Sequence, residues 1–111
     1  MSRTITPREL KEMLAKDQKV TIVDVRRKAD YAADRQMIPN AAWKDPEQID
    51  RWSADLPQNL PVVVYCVRGG SVSNSVLDLL LKKNIDARYI EGGFTAWKDS
   101  GASTIDNAGS P

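Results

Sequence analysis

Pro61-Val62-Val63-Val64-Tyr65 runs into Cys66-Val67-Arg68-Gly69-Gly70-Ser71, and Val72 to Lys83 follows with helical periodicity. A short β-branched run bounded by a proline and a glycine-rich turn reads as a buried strand. Val76, Leu77, Leu79, Leu80 and Leu81 make the following helix apolar round much of its circumference, which predicts deep burial. Lys82, Lys83 and Asn84 mark its end: cations suit the helix dipole there, and asparagine tolerates a left-handed cap. Strand, loop and helix in this order belong to a parallel arrangement, so the stretch points to an α/β fold.

The flanking sequence repeats the alternation. Thr4-Ile5 is a candidate edge strand, and Thr6-Pro7-Arg8-Glu9 is a helix start with Thr6 as N-cap, Pro7 at N1 and Glu9 closing a capping box. Leu10, Met13 and Leu14 share one face of that helix, and Val20 to Val25 forms a strand apolar enough to be covered on both faces. Arg26 to Asp34 reads as a short helix, Ile38-Pro39-Asn40 as a turn and Ala41-Ala42-Trp43 as an extended segment. Asp45-Pro46-Glu47-Gln48 repeats the N-terminal grammar and opens a helix with Ile49, Trp52 and Leu56 as its stripe. Ala87 to Ile90 is the last predicted strand, Gly92-Gly93 a turn and Phe94 to Asp99 a closing helix. Residues 1–101 are expected to form one domain and 102–111 a flexible C-terminal tail.

The 111 residues suffice for one continuous core, and 16 basic against 15 acidic residues, a net charge of +1, argue for neither a nucleic-acid nor a membrane partner. No signal core or membrane-length run is present, and the single cysteine cannot form a disulfide within the chain, so a cytoplasmic location is expected. The chain has no histidine, which excludes Ser-His-Asp and Cys-His catalysis and histidine zinc sites. A C-x-x-C redox pair is excluded by the single cysteine.

Cys66 therefore works with backbone dipoles, arginines and hydroxyls, or it is a small buried hydrophobe and does no chemistry. A free thiol has a pKa of about 8.5, and a helix N-terminus behind it favours the anion. Arg68 adds a positive charge, Gly69 and Gly70 let the loop N–H groups converge as an anion nest, and Ser71 and Ser73 offer hydroxyls or a helix cap. In parallel sheets ligands bind beyond the carboxyl ends of the strands, and Cys66 shares such an edge with Asp24-Val25-Arg26. Arg26 is a candidate for meeting an anionic ligand or for closing a salt bridge, whereas Asp24, Trp43, Phe94 and Trp97 are assigned structural roles.

Taken together, five segments resemble a single-domain rhodanese: Thr6-Pro7-Arg8-Glu9-Leu10, Val23-Asp24-Val25-Arg26, Ile38-Pro39-Asn40-Ala41, the Cys66–Ser71 loop, and Gly92-Gly93-Phe94-Thr95-Ala96-Trp97. The resemblance implies a five-stranded parallel sheet with helices on both faces. It also implies a sulfurtransferase in which Cys66 takes a sulfane sulfur as a persulfide. The donor would be a small thiosulfate-like anion bound by Val67, Arg68, Gly69, Gly70, Ser71 and Arg26, the acceptor a thiol or cyanide, and no metal or organic cofactor would be needed. The loop is similar to a subset written C-V-x-G-x-x-V-S, which Cys66 to Ser73 satisfies, while Gln36-Met37 and Asn40 depart from the common pattern.

Three other readings share this fold or this residue. A silent rhodanese-like interaction module commonly lacks the cysteine. A cysteine phosphatase needs an arginine six positions after it, to grip phosphate through two parallel hydrogen bonds; Val72 stands there. An arsenate or disulfide reductase would need a resolving thiol from another protein.

Overall fold

The structure, a computed structural model, describes residues 3–106. In chain order its elements are β1 (Thr4–Ile5), α1 (Pro7–Ala15), β2 (Thr21–Asp24), α2 (Lys28–Ala33), β3 (Gln36–Met37), β4 (Ala41–Trp43), α3 (Ile49–Trp52), β5 (Val62–Tyr65), α4 (Ser71–Lys82), β6 (Ala87–Ile90), α5 (Gly93–Asp99) and β7 (Ile105–Asp106). Five strands form one parallel sheet in the order β1-β6-β5-β2-β4, with β5 at its centre. No helix among the described residues is long and apolar enough to cross a membrane.

Side-chain alternation along the strands sorts the core into two layers. Val62, Val64 and Cys66 pack with Val23, Val25, α3 and the Val76, Leu77 and Leu80 stripe of α4. Val63 and Tyr65 point the other way, to Ile5, Leu10, Ile22, Phe94 and Trp97 between the sheet and α1 and α5. Cys66 thus emerges on the α4 side, and Tyr65 on the α1 and α5 side.

The N-terminal grammar is realised in full. The Glu9 N–H donates to Thr6 Oγ1 at 3.1 Å and the Thr6 N–H to Glu9 Oε1 at 2.9 Å. Its second copy is not. Asp45 Oδ1 accepts from the Glu47 N–H at 2.9 Å, but Pro46–Gln48 winds as a 3₁₀ turn and only Ile49–Trp52 is α-helical. Gln48 is engaged by Arg51 rather than closing a box, and the Trp52 indole donates back to Asp45 O at 2.7 Å, curling the segment on itself.

One further expectation is corrected. Leu79 and Leu81 are exposed, at 38% and 40%, because α4 packs on the sheet along one stripe only. The expected tail is described as far as 106. Ile105–Asp106 pairs antiparallel with Gln36–Met37, and the Trp97 indole donates to Ser103 O at 2.8 Å. Residues 107–111 of that tail lie outside the described residues.

Candidate active site

The loop after β5 is shaped from behind. The Phe94 N–H donates to Cys66 O at 2.8 Å and the Thr95 N–H to Val67 O at 3.0 Å, so the amino end of α5 takes both carbonyls. In a trans peptide the C=O and the next N–H point in opposite directions, and the chain has no cis bonds among the described residues. The N–H groups of Val67 and Arg68 accordingly face away from α5. The next two carbonyls to be held, those of Gly69 and Gly70, accept from Asn74 Nδ2 at 3.4 and 3.0 Å. The Gly92-Gly93 pair makes this approach possible. A Cβ on Gly93 would stand 2.6 Å from Cys66 O and from Gly69 N, and its φ of +64° already lies in the left-handed region.

Gly70 is the N-cap of α4 and has no side chain to cap with, so Ser71 is the helix's first residue and neither Ser71 nor Ser73 serves as the cap. Ser73 is fully buried and its Oγ has no hydrogen-bond partner among the described residues.

In front of the loop lies an open cavity of about 260 Å³, bounded by Cys66, Val67, Arg68, Gly70, Ser71 and Val72 on one side and by Arg27 and Asp30 on the other. Cys66 is 5% exposed at its floor, whereas Arg27, Asp30 and Arg68 are exposed around it. Arg27 precedes α2, whose Tyr31 stacks on Trp43 with ring centroids 4.9 Å apart, so the aromatic pair supports this wall rather than lining the cavity. Among the described residues no group of histidine, cysteine and carboxylate side chains is placed to hold a metal ion. A larger cavity, about 650 Å³, opens at the amino ends of the strands around Arg3, Leu81, Ile85 and Arg88.

Of the residues expected to bind a ligand, Val67, Arg68, Gly70 and Ser71 border the cavity with Cys66. Gly69 does not; with φ +70° it sits against Ile90 O, where a Cβ would come to 2.9 Å, and its contribution is the turn itself. Arg26 is also placed elsewhere. It is 2% exposed, its Nε and Nη2 grip the Asp24 carboxylate at 2.7–3.0 Å, and its remaining donors reach Asp34 O at 2.8 Å and Gln36 O at 3.0 Å. The cause is strand alternation: Val23 and Val25 face α4, so Asp24 and Arg26 face the other layer. Arg27 is the arginine that returns to the Cys66 side, and counting in twos from Val23 would have found it. Asn74 carries no comparable sequence signal, since a polar residue in the first turns of a helix is ordinary.

The buried pair has its own electrostatics. Burial raises the Asp24 carboxyl above its ordinary value, against the hydrogen bonds and charge of Arg26. Burial disfavours the Arg26 charge as well, but Asp24 outweighs it and the guanidinium is held above its ordinary value. Burial, then the Asp24 charge, raises the Tyr65 hydroxyl, which remains a donor to Asp24 Oδ2 at 3.2 Å. The network pins the ends of β2 and β5 together one residue before the loop.

Comparison with known proteins fits this geometry. The chain is 33% identical over 86 residues to "Thiosulfate sulfurtransferase GlpE" of Coxiella burnetii, covering 77% of this chain and 78% of that protein. It is 31% identical over 98 residues to "Probable adenylyltransferase/sulfurtransferase MoeZ" of Mycobacterium tuberculosis, covering 85% of this chain but only 24% of that protein. The chain thus spans about a quarter of the length of that larger relative. Among solved structures, a rhodanese-like domain protein from Staphylococcus aureus superposes with a TM-score of 0.78 at 33% identity, over 92% of this chain and 97% of the other. The rhodanese-like domain from Anabaena sp. Alr3790 superposes with a TM-score of 0.81 at 26% identity, over 99% of this chain and 83% of the other. The rhodanese-like domain family matches residues 6–100, from α1 through the Cys66 loop to α5, and the chain belongs to that family.

Proposed function

We propose that this protein is a sulfurtransferase in which Cys66 carries a sulfane sulfur from a small anionic donor such as thiosulfate to a thiol or cyanide. One observation carries the reading: the only cysteine lies on the floor of a cavity at the amino end of a 12-residue helix, between two arginines. The helix end and the loop N–H groups turned away from α5 favour bound negative charge, and Arg27 and Arg68 add to it from opposite sides.

The Cys66 thiolate attacks the outer sulfur of thiosulfate. The S–S bond of the donor breaks, its electron pair leaves with sulfite, and Cys66 holds a persulfide. Cyanide or a thiolate then attacks the outer sulfur, and the Cys66 sulfur leaves with the pair of the second S–S bond. No net redox partner is needed, and neither step asks for a histidine. Val72 borders the cavity where a phosphate-gripping arginine would have to stand, which disfavours phosphatase chemistry.

Intact mass spectrometry tests the reading. Thiosulfate should add one sulfur, about 32 Da, which cyanide then removes. If the wild-type protein gains no such mass, or Cys66→Ser gains it equally, the proposal is wrong.

A further inference from the structure

Asn74 stands in the first turns of α4, outside the cavity, yet it holds the loop. Its Nδ2 donates to Gly69 O and Gly70 O, and its backbone N–H donates to Gly70 O at 3.1 Å. Its Oδ1 accepts from Arg3 Nη2 at 3.2 Å, and the same Arg3 nitrogen reaches Asp78 Oδ1 at 2.9 Å, one turn further along α4. A guanidinium has donors only, so the amide oxygen must face Arg3 and the amide NH₂ must face the loop. Arg3 thus selects which way round Asn74 sits. Asp78 in turn holds Arg3 against the helix.

We propose that Asn74 is a positioning residue for the sulfur-carrying loop, oriented by Arg3 from the segment that leads into the edge strand β1. The inference rests on the sulfurtransferase reading for its effect on turnover, and on geometry alone for its effect on the loop. By drawing the Gly69 and Gly70 carbonyls toward α4, Asn74 turns the N–H groups of Gly70 and Ser71 the opposite way. The Phe94 and Thr95 N–H groups do the same for the carbonyls of Cys66 and Val67. Both ends of the loop are then set before a donor arrives, and a preset anion site binds without first having to order its own backbone.

The test combines hydrogen exchange of the Phe94 and Thr95 amides, which bond the loop carbonyls of Cys66 and Val67, with the kinetics of thiosulfate use, in the full chain. Asn74→Ala should speed exchange of these two amides about tenfold and raise the thiosulfate KM about tenfold, while the Leu77 and Leu80 amides keep their protection. Asn74→Asp separates positioning from helix stability. It retains the contact with Arg3 and puts an acid in the first turns of α4, which the dipole favours, but it sets an oxygen against the two carbonyls. Exchange at Phe94 and Thr95 should then be as fast as in Asn74→Ala. Restoration of wild-type protection by Asn74→Asp, or wild-type exchange in Asn74→Ala, overturns the proposal. Arg3→Ala should also loosen the loop, and the Arg3→Ala, Asn74→Ala double variant should be no looser than Asn74→Ala alone. Additive effects would refute the part assigned to Arg3. Exchange reads loop order without turnover, so a wild-type protein that takes up no sulfur refutes the sulfurtransferase reading while the exchange arms still decide the tether.

Discussion

The Phe94 N–H donates to the Cys66 carbonyl at 2.8 Å, a bond that ties the Cys66 peptide to the amino end of α5. It forms only because Gly93, between them, offers no side chain. Gly93→Ala would force a Cβ to 2.6 Å from Cys66 O and 2.7 Å from Arg68 N, at a φ that alanine rarely adopts. The expected cost is about 2–4 kcal/mol of stability, together with loss of sulfur loading in whatever protein remains folded. Chemical denaturation and intact mass report the two effects. A variant with wild-type stability would mean that α5 retreats from the loop without penalty.

Arg27 and Arg68 are both exposed at the cavity mouth, so replacing either one tests chemistry with little structural interference. Arg27→Ala and Arg68→Ala should each raise the thiosulfate KM about threefold to tenfold and leave stability within about 0.5 kcal/mol. The loss should shrink as salt is added, since both charges act from the solvent side. An unchanged KM in Arg68→Ala would show that this side chain turns to solvent and that Arg27 alone meets the donor.

Asp24 and Arg26 are buried together, at 0% and 2% exposure, which predicts a different pattern. Removing one partner strands the other's charge, so Asp24→Ala or Arg26→Ala should cost about 3–5 kcal/mol. The double replacement Asp24→Leu, Arg26→Met should recover much of that loss. Because neither residue borders the cavity, folded double variant should still take up sulfur from thiosulfate. If its uptake vanishes with the fold intact, Arg26 meets the donor after all.

The parallel sheet, the capped first helix and the cysteine loop were legible because each is local: a β-branched run, a capping box and a glycine pair announce themselves within a few residues. The sequence was less informative where contacts between distant segments decide. Leu79 and Leu81 read as core, yet α4 has a partner on one side only, and no local pattern shows how many neighbours a helix will have. Residues 102–106 read as tail, yet Ile105 finds Met37, 68 positions earlier, in an antiparallel pair. Of the two roles open to Arg26 the structure holds the salt bridge, and the information to choose it was present. Strand alternation from Val23 puts Arg26 with Asp24 and leaves Arg27 to face Cys66. Asn74 was beyond reach from the sequence, since its function depends on Arg3 across 71 residues.

Acid should weaken one tie near the chain's C-terminal end in a predictable window. The hydrogen bond from Lys98 Nζ, at 2.8 Å, and then that from the Gln36 N–H hold the Asp34 carboxyl below its ordinary 3.8, although slight burial pushes the other way. A carboxyl lowered in the fold contributes stability that is complete above its unfolded pKa and is lost as pH falls through the folded value. Between about pH 6 and about pH 3, wild type should therefore lose more stability than Lys98→Met, by less than about 1 kcal/mol for a partly exposed pair. Equal losses, measured by denaturant midpoints at the two pH values, would remove Lys98 as the cause.

Ser73 poses the opposite problem: its hydroxyl is fully buried beside the loop and finds no partner among the described residues. A buried hydroxyl left unsatisfied costs about 1–3 kcal/mol, and Ser73→Ala removes the oxygen while keeping the rest of the side chain. The variant should be as stable as wild type or more stable, by up to about 1 kcal/mol in denaturant unfolding. It shares the α4 stripe with Val76 and Leu77, on the layer to which Cys66 belongs, so thiosulfate loading of the variant is the second measurement. Unchanged loading with equal or greater stability marks the hydroxyl as an energetic cost within the fold. Reduced loading at full stability would instead assign Ser73 to the sulfur that Cys66 receives.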